Sequence, residues 1–337
     1  MQTFDRKQLG FFPTPLTELP CLSRKLGGPR IMIKRDDLSG LALGGNKTRK
    51  LEFLIGDALA KGCDTIITGG AEQSNHCRQT AAAAALCGLD CHLVLGGAEP
   101  ETFQGNILLD HLLGANIHWS GQFRKGEKIP DLVRELERKG RRPYVIPYGG
   151  SNEVGALGFV EAVRELNQQI LQQNLGVTHI VFASSSGGTQ AGFVVGSVLY
   201  GAEYRLIGIE IDKGEIGDSS FRSHVESLVS RTAALAGVSI ANISEAVDLR
   251  NDYVGAGYAV VGDLEREAIK LLAQTEGILV DPVYTGRALG GCIDMIRRGE
   301  FSSQDTVLFW HTGGTPALFS YANTVVGKKV NNATEKD

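Results

Sequence analysis

"THIVFASSSGGTQAG", residues 178–192, joins an unbroken apolar run to a turn rich in serine and glycine, and then to the start of an apolar helix. A strand with one wet face alternates apolar and polar residues. The run after His179 does not, so it reads as a parallel strand covered on both faces. The pattern recurs in "CDTIITGG" (63–70), "CHLVLGG" (91–97), "ANIHW" (115–119), "PYVIPYGG" (143–150), "YRLIGIEI" (204–211), "GILVDPVY" (277–284) and "DTVLFWHTGG" (305–314). Helical segments such as Asn106 to Leu113 and Asp131 to Lys139 lie between them. Many close on a glycine (Gly62, Gly88, Gly114, Gly140, Gly201) able to take the positive φ of a helix C-cap. The fold class predicted is α/β with parallel sheets.

Five of these runs end in glycine pairs: Gly69-Gly70, Gly96-Gly97, Gly149-Gly150, Gly187-Gly188 and Gly313-Gly314. One pair is explained equally well by a tight turn. Five together point to a crevice beyond the carboxyl ends of the strands, where open parallel sheets bind ligands.

Composition sets the partner class. The 337 residues are 42% hydrophobic and 21% charged, with a formal net charge of −4. That small charge, without long runs of one sign, argues against nucleic acid or an anionic membrane surface and for a small molecule. The N-terminal "MQTFDRKQLGFFPTPL" has charges where a signal core would be apolar, and no stretch reaches a membrane span, so a cytoplasmic location is expected. Cys21, Cys63, Cys77, Cys87, Cys91 and Cys292 show no C-x-x-C spacing, so reduced thiols are expected, with neither disulfides nor a metal site. The polar terminal "KKVNNATEKD" has little to bury and is expected to fray.

Three constellations carry chemistry. In "GLALGGNKTRKLEFLIGDAL" (40–59), Leu51, Leu54, Ile55, Ala58 and Leu59 mark one helical face, which puts Lys47 at the helix start. The helix dipole disfavours a cation there and would lower the lysine pKa, leaving a neutral amine able to attack a carbonyl. On this segment alone a solvated lysine is the better reading, and Lys50 and Lys61 are expected at such exposed positions. In "SSSGGTQAG" the N–H groups of Ser186, Gly187, Gly188 and Thr189, with the hydroxyls of Ser186 and Thr189, form a cup for a phosphate at a helix N-terminus. It matches neither a Walker loop nor a G-x-G-x-x-G turn.

The third, "TGGAEQSNHCRQTAAAAA" (68–85), crowds Gln73, Ser74, Asn75 and His76 into a helix start where one cap would suffice. Such a loop can hold a carboxylate or a polar ring substituent, with capping plus solvation the alternative. "DPVYTGRALGG" (281–291) and "WHTGGTPALF" (310–319) place Thr285 and Thr312 just past strands, and Tyr284 reads as half core and half site. A reactive lysine, a phosphate cup and a carboxylate loop together describe pyridoxal 5'-phosphate (PLP) bound to an amino acid.

"PTPL", "IKRDDLSGLALGGNKTRKLEFL", "QSNHCRQTAA", "RPYVIPYGGSNEVGALGFVEA", "GILVDPVYTGRA" and "HTGGTPALF" resemble the PLP-dependent family of D-cysteine desulfhydrases and 1-aminocyclopropane-1-carboxylate (ACC) deaminases, from about residue 10 to 325. The resemblance implies a tryptophan synthase β-like fold (PLP fold type II), with two open, twisted, mainly parallel sheets and flanking helices. Residues 46–160 would form a small domain inserted into a large one of 1–45 plus 161–337. It also implies that Lys47 bonds the cofactor aldehyde, that Asn75 lies against the ring hydroxyl, and that Ser186 to Thr189 hold the phosphate. Gln73, Ser74, Asn75 and Tyr284 would meet the substrate, Ser74 and Tyr284 as catalytic groups beside Lys47. The family is commonly homodimeric.

ACC deaminases carry Glu after the tyrosine of D-P-V-Y and Leu after the histidine of H-x-G-G; this chain has Thr285 and Thr312. A neutral hydroxyl would not keep the pyridine nitrogen protonated, which favours β-elimination over ring opening. The implied reaction is D-cysteine to pyruvate, ammonia and sulfide, with L-cysteate sulfo-lyase as the alternative. ACC deaminase and a non-catalytic PLP-binding protein come further behind.

Overall fold

The computed structural model describes residues 4–212 and 220–327. The tail expected to fray, 328–337, lies outside the described residues. In chain order the elements are β1 (Leu16–Glu18), α1 (Pro20–Leu26), β2 (Arg30–Arg35), α2 (Lys47–Ala60), β3 (Thr65–Gly70), α3 (Asn75–Cys87), β4 (Asp90–Leu95), α4 (Gly105–Leu112), β5 (Asn116–Trp119), α5 (Ile129–Arg138) and β6 (Pro143–Val145). They continue with α6 (Glu153–Gln173), β7 (His179–Ser184), α7 (Gly188–Leu199), β8 (Arg205–Glu210), α8 (Phe221–Ala236), α9 (Ile243–Ala246), β9 (Leu249–Arg250), α10 (Asp263–Glu276), α11 (Thr285–Arg297), β10 (Thr306–His311), α12 (Thr315–Ser320) and α13 (Ala322–Val326). Two sheets result, ordered β1-β2-β10-β7-β8-β9 and β5-β4-β3-β6. All pairings are parallel except β1 with β2. The strands of the smaller sheet all fall within 65–145.

One predicted strand is missing. Gly277 to Tyr284 does not join a sheet, because both edges of β10 are taken by β2 and β7. Instead the Asp281 carboxylate accepts the N–H groups of Val283, Tyr284 and Thr285 at 2.9, 2.9 and 2.7 Å, a turn that leads into α11.

Helix α2 is covered on nearly every side; Thr48 to Gly56 are all buried. Lys61 is exposed as expected, but Lys50 is fully buried, contrary to expectation. Periodicity marks the apolar face of a helix and cannot report a second, polar face that is also enclosed.

Arg49 ties the start of α2 to the larger sheet. It chelates Asp36 with two bonds of 2.8 Å, pairs with Glu165 of α6 at 2.8 Å, and shares Asp36 with the Trp310 indole N–H of β10. Lys34 of β2 closes the network on Glu165 at 2.5 Å. Burial alone would raise the Glu165 pKa, but Arg49 and Lys34 outweigh it and hold the carboxyl at about 2. Its stabilisation is therefore complete above about pH 4.5 and is lost as pH falls toward 2. We expect Glu165→Gln to be less stable by roughly 3 kcal/mol at neutral pH and to lose most of the difference by pH 2, measured by urea denaturation across that range.

Candidate active site

Residues from all three constellations, among them Lys47, Ser74, Asn75, His76, Ser186 and Thr189, line one cavity beyond the carboxyl ends of β7 and β10. Its approach is unusual in backbone conformation. Gly40, Leu41, Ala42, Leu43, Gly44 and Gly45 have φ of 82, 40, 50, 70, 68 and 133°, six consecutive residues in the left-handed half of conformational space. Leu41, Ala42 and Leu43 adopt it at about 1 kcal/mol or more each. Contacts from outside hold the turn: Gly45 N–H donates to Asp36 O at 3.0 Å, and the buried Arg78 of α3 donates to the carbonyls of Ala42 and, at 3.0 Å, Gly44.

Lys47 is the first residue of α2 and faces the cavity. Its pKa is lowered to about 8, in the expected direction, by burial of the amine. Lys50, one turn on, donates to Ser151 Oγ at 2.9 Å and Gly149 O at 3.2 Å. Burial first and the Lys47 charge second push its pKa well down. Among the described residues no carboxylate pairs with either amine. Two amines enclosed this way fit an anion between them.

Ser186 to Thr189, the expected cup, form the turn from β7 into α7. Gly187 (φ 83°) turns the chain after β7 so that α7 begins at Gly188, and the Ser186 and Ser151 hydroxyls meet at 2.7 Å. Ser151 Oγ also accepts the Gly188 N–H at 3.2 Å, and Asn46 donates to Thr189 Oγ1 at 3.1 Å. A Cβ on Gly149 would stand 2.2 Å from Ser186 Oγ; one on Gly188 would stand 2.7 Å from Ser151 Oγ and 2.9 Å from Lys50 Nζ. Those glycines keep the cup open, and the helix start together with Lys50 suits a phosphate.

Across the cavity, Ser74 caps α3 by accepting the Cys77 N–H at 3.2 Å, and Asn75 follows it. His76 Nε2 lies 2.9 Å from Thr68 Oγ1, whose own hydrogen goes to Ile146 O. Nε2 is therefore the protonated nitrogen, and the buried Nδ1 has no partner among the described residues. Burial, then Lys47 and Lys50, keep this ring neutral.

Tyr284 and Thr312 line the same cavity. Tyr284 Oη lies 2.6 Å from Tyr258 Oη, and burial raises both phenols well above their usual pKa, so they are proton donors at neutral pH. Two expected site residues point elsewhere. The buried Thr285 hydroxyl donates to Asp281 at 2.6 Å, which its place just after the Asp281 turn makes natural. Gln73 Oε1 accepts the Asn106 N–H at 2.8 Å, and the residue lines an outer cavity with Glu72, Arg124, Tyr258 and Tyr321. Sequence reasoning missed Lys50, Tyr148, Ser151 and Tyr258. The Tyr148-to-Ser151 segment closes one of the glycine-terminated runs and could have been found by asking what that turn faces. Tyr258 sits in a loop without periodic signal.

These side chains offer a reactive amine, a phosphate cradle, donors for a carboxylate and phenolic proton donors: the set a phosphorylated aldehyde cofactor with an amino-acid substrate requires. Comparison with known proteins agrees. Residues 7–313 match the model of the family described as "Pyridoxal-phosphate dependent enzyme". The chain is 43% identical over 324 residues to a D-cysteine desulfhydrase of Salmonella newport, covering 94% of this chain and 96% of that protein. A crystal structure of an ACC deaminase homologue superposes with a TM-score of 0.88 at 39% identity, over 96% of each chain. A threonine deaminase of Solanum lycopersicum, 17% identical with a TM-score of 0.67 over 95% of this chain and 88% of that one, shares the fold. Without cofactor, Lys47 should react with trinitrobenzenesulfonate with a midpoint near pH 8, well below the ordinary lysine range, as read by peptide mass mapping.

Proposed function

Since the chain belongs to the pyridoxal-phosphate-dependent enzyme family, we propose that it catalyses β-elimination from a small amino acid, taking D-cysteine to pyruvate, ammonia and sulfide. The observation that carries this reading is the convergence of Lys47, the 186–189 cup, Ser74, Asn75 and Tyr284 on one cavity.

Pyridoxal phosphate, when bound, withdraws electrons from the substrate Cα so that its proton can leave and the β-substituent can be expelled. The cup and Lys50 would hold the phosphate, and Thr312, which lines the cavity while the Thr285 hydroxyl is bonded to Asp281, would serve the ring nitrogen. Asn75 would serve the ring oxygen. Ser74 Oγ and the first N–H groups of α3 orient the substrate carboxylate. Lys47 would bond the cofactor aldehyde and, with a substrate amine in its place, would hold the Cα proton on Nζ; a pKa near 8 leaves it partly neutral at physiological pH. Tyr284, hydrogen-bonded to Tyr258, supplies a proton to the departing sulfur. A neutral threonine at the ring nitrogen supports elimination over ring opening. The division into 46–160 and the remainder belongs to the same proposal; it is supported by the confinement of the smaller sheet to 65–145.

L-cysteate is the second candidate substrate, because Arg124 on the outer cavity is a cation a sulfonate could use. Arg124 already pairs with Asp212 at 2.6 Å and lies over the Tyr258 ring, and Glu72 lines the same cavity, so D-cysteine is preferred.

Sulfide release from D-cysteine should exceed release of sulfite from L-cysteate, of pyruvate from D-serine or L-cysteine, and of α-ketobutyrate from ACC; a faster reaction with any of these reassigns the substrate. Lys47→Ala should lose the visible cofactor absorption and about 10³-fold or more in turnover. Lys50→Ala should keep the absorption but bind cofactor about tenfold more weakly or worse, by equilibrium dialysis.

A further inference from the structure

Asn75 is oriented by a chain of hydrogen bonds whose polarity can be traced to a single group. Arg78 Nε donates to Asn106 Oδ1 at 2.8 Å. A guanidinium can only donate, so this contact fixes which end of the Asn106 amide is oxygen. The Asn106 Nδ2 hydrogens must then point the other way, and they reach Gln73 O at 2.9 Å and Asn75 Oδ1 at 2.8 Å. Asn75 Oδ1 is thereby occupied as an acceptor. Its Nδ2, which has no acceptor among the described residues, is the end left for the cavity that Asn75 lines. Asn106 is fully buried and both ends of its amide are satisfied, so neither amide can flip without leaving a buried group unpaired.

We propose that Arg78 and Asn106 are positioning residues that force Asn75 to present its N–H₂, never its oxygen, to the oxygen on the cofactor ring. The inference rests on the proposed function, which puts that ring against Asn75. The same guanidinium holds the left-handed turn before Lys47, through Ala42 O and Gly44 O. One buried cation thus sets both the approach to the reactive amine and the polarity of the group facing the ring oxygen. A donor there stabilises the ring oxygen as an anion and disfavours a proton shared between that oxygen and the Lys47 nitrogen.

Asn106→Asp tests this, because it keeps an acceptor for Arg78 and removes the donor to Asn75. Asn75 would then turn its nitrogen toward the introduced carboxylate and its oxygen toward the cavity. In the holoenzyme we expect about tenfold or greater loss of pyridoxal phosphate affinity by equilibrium dialysis, and an upward shift in the pH midpoint of the visible absorption. Asn106→Ala, which frees Asn75 without adding charge, should shift both in the same direction by less, and it serves if the aspartate variant does not fold. In an Asn75→Ala background neither change at 106 should have further effect.

Equal losses from the 106 variants with and without Asn75 would overturn the relay while leaving the cofactor assignment intact. If Asn75→Ala alone leaves affinity and spectrum unchanged, both the relay and the Asn75 contact fall. A protein that binds no pyridoxal phosphate overturns the proposed function itself.

Discussion

Helix α2 has almost no solvent face, and the site depends on that constraint. A helix enclosed on all sides must satisfy every polar group it carries from its neighbours. Arg49 does so through Asp36, Glu165 and, by way of Asp36, Trp310, which fixes the first turn against the larger sheet. Lys47 and Lys50 project from the same turn with no carboxylate among the described residues to balance them. The structural cation and the chemical cations therefore lie within one turn, distinguished only by whether the protein supplies the counter-charge.

The cavity applies one rule repeatedly: titratable groups are kept in the form that suits a bound anion and an amino acid. Burial holds His76 and a fraction of Lys47 neutral and keeps Tyr284 and Tyr258 protonated. Low dielectric surroundings strengthen each of these preferences, and exclusion of water is the common cause.

Much of this was legible in the amino-acid sequence, for definite reasons. Continuous Val and Ile runs ended by glycine pairs report a parallel sheet and its ligand edge, and β3, β4, β7 and β10 follow that pattern. Lys47 stood out because a cation at a helix start contradicts a local rule. The residues that escaped notice depend on neighbours far along the chain. Ile278 to Asp281 has the composition of a strand, but both edges of β10 are already paired with β2 and β7. Lys50 looks like an ordinary helical lysine until Gly149 and Ser151, about a hundred positions on, are brought against it. Thr285 carries the expected hydroxyl, and only the Asp281 turn reveals that it is already bonded.

The turn of reversed hand at 40–45 inverts the usual meaning of a conservative substitution. Over most of a protein, replacing leucine or alanine with glycine loosens the chain. At Leu41, Ala42 and Leu43 glycine is the residue the backbone would prefer, whereas a side chain on Gly44 would stand 2.0 Å from the Asp37 carbonyl oxygen. A similarity table that scores side chains by size and polarity would rank these changes in the wrong order. The information that places the reactive amine is written here in handedness, and an engineer reshaping the loop would have to read it in that alphabet.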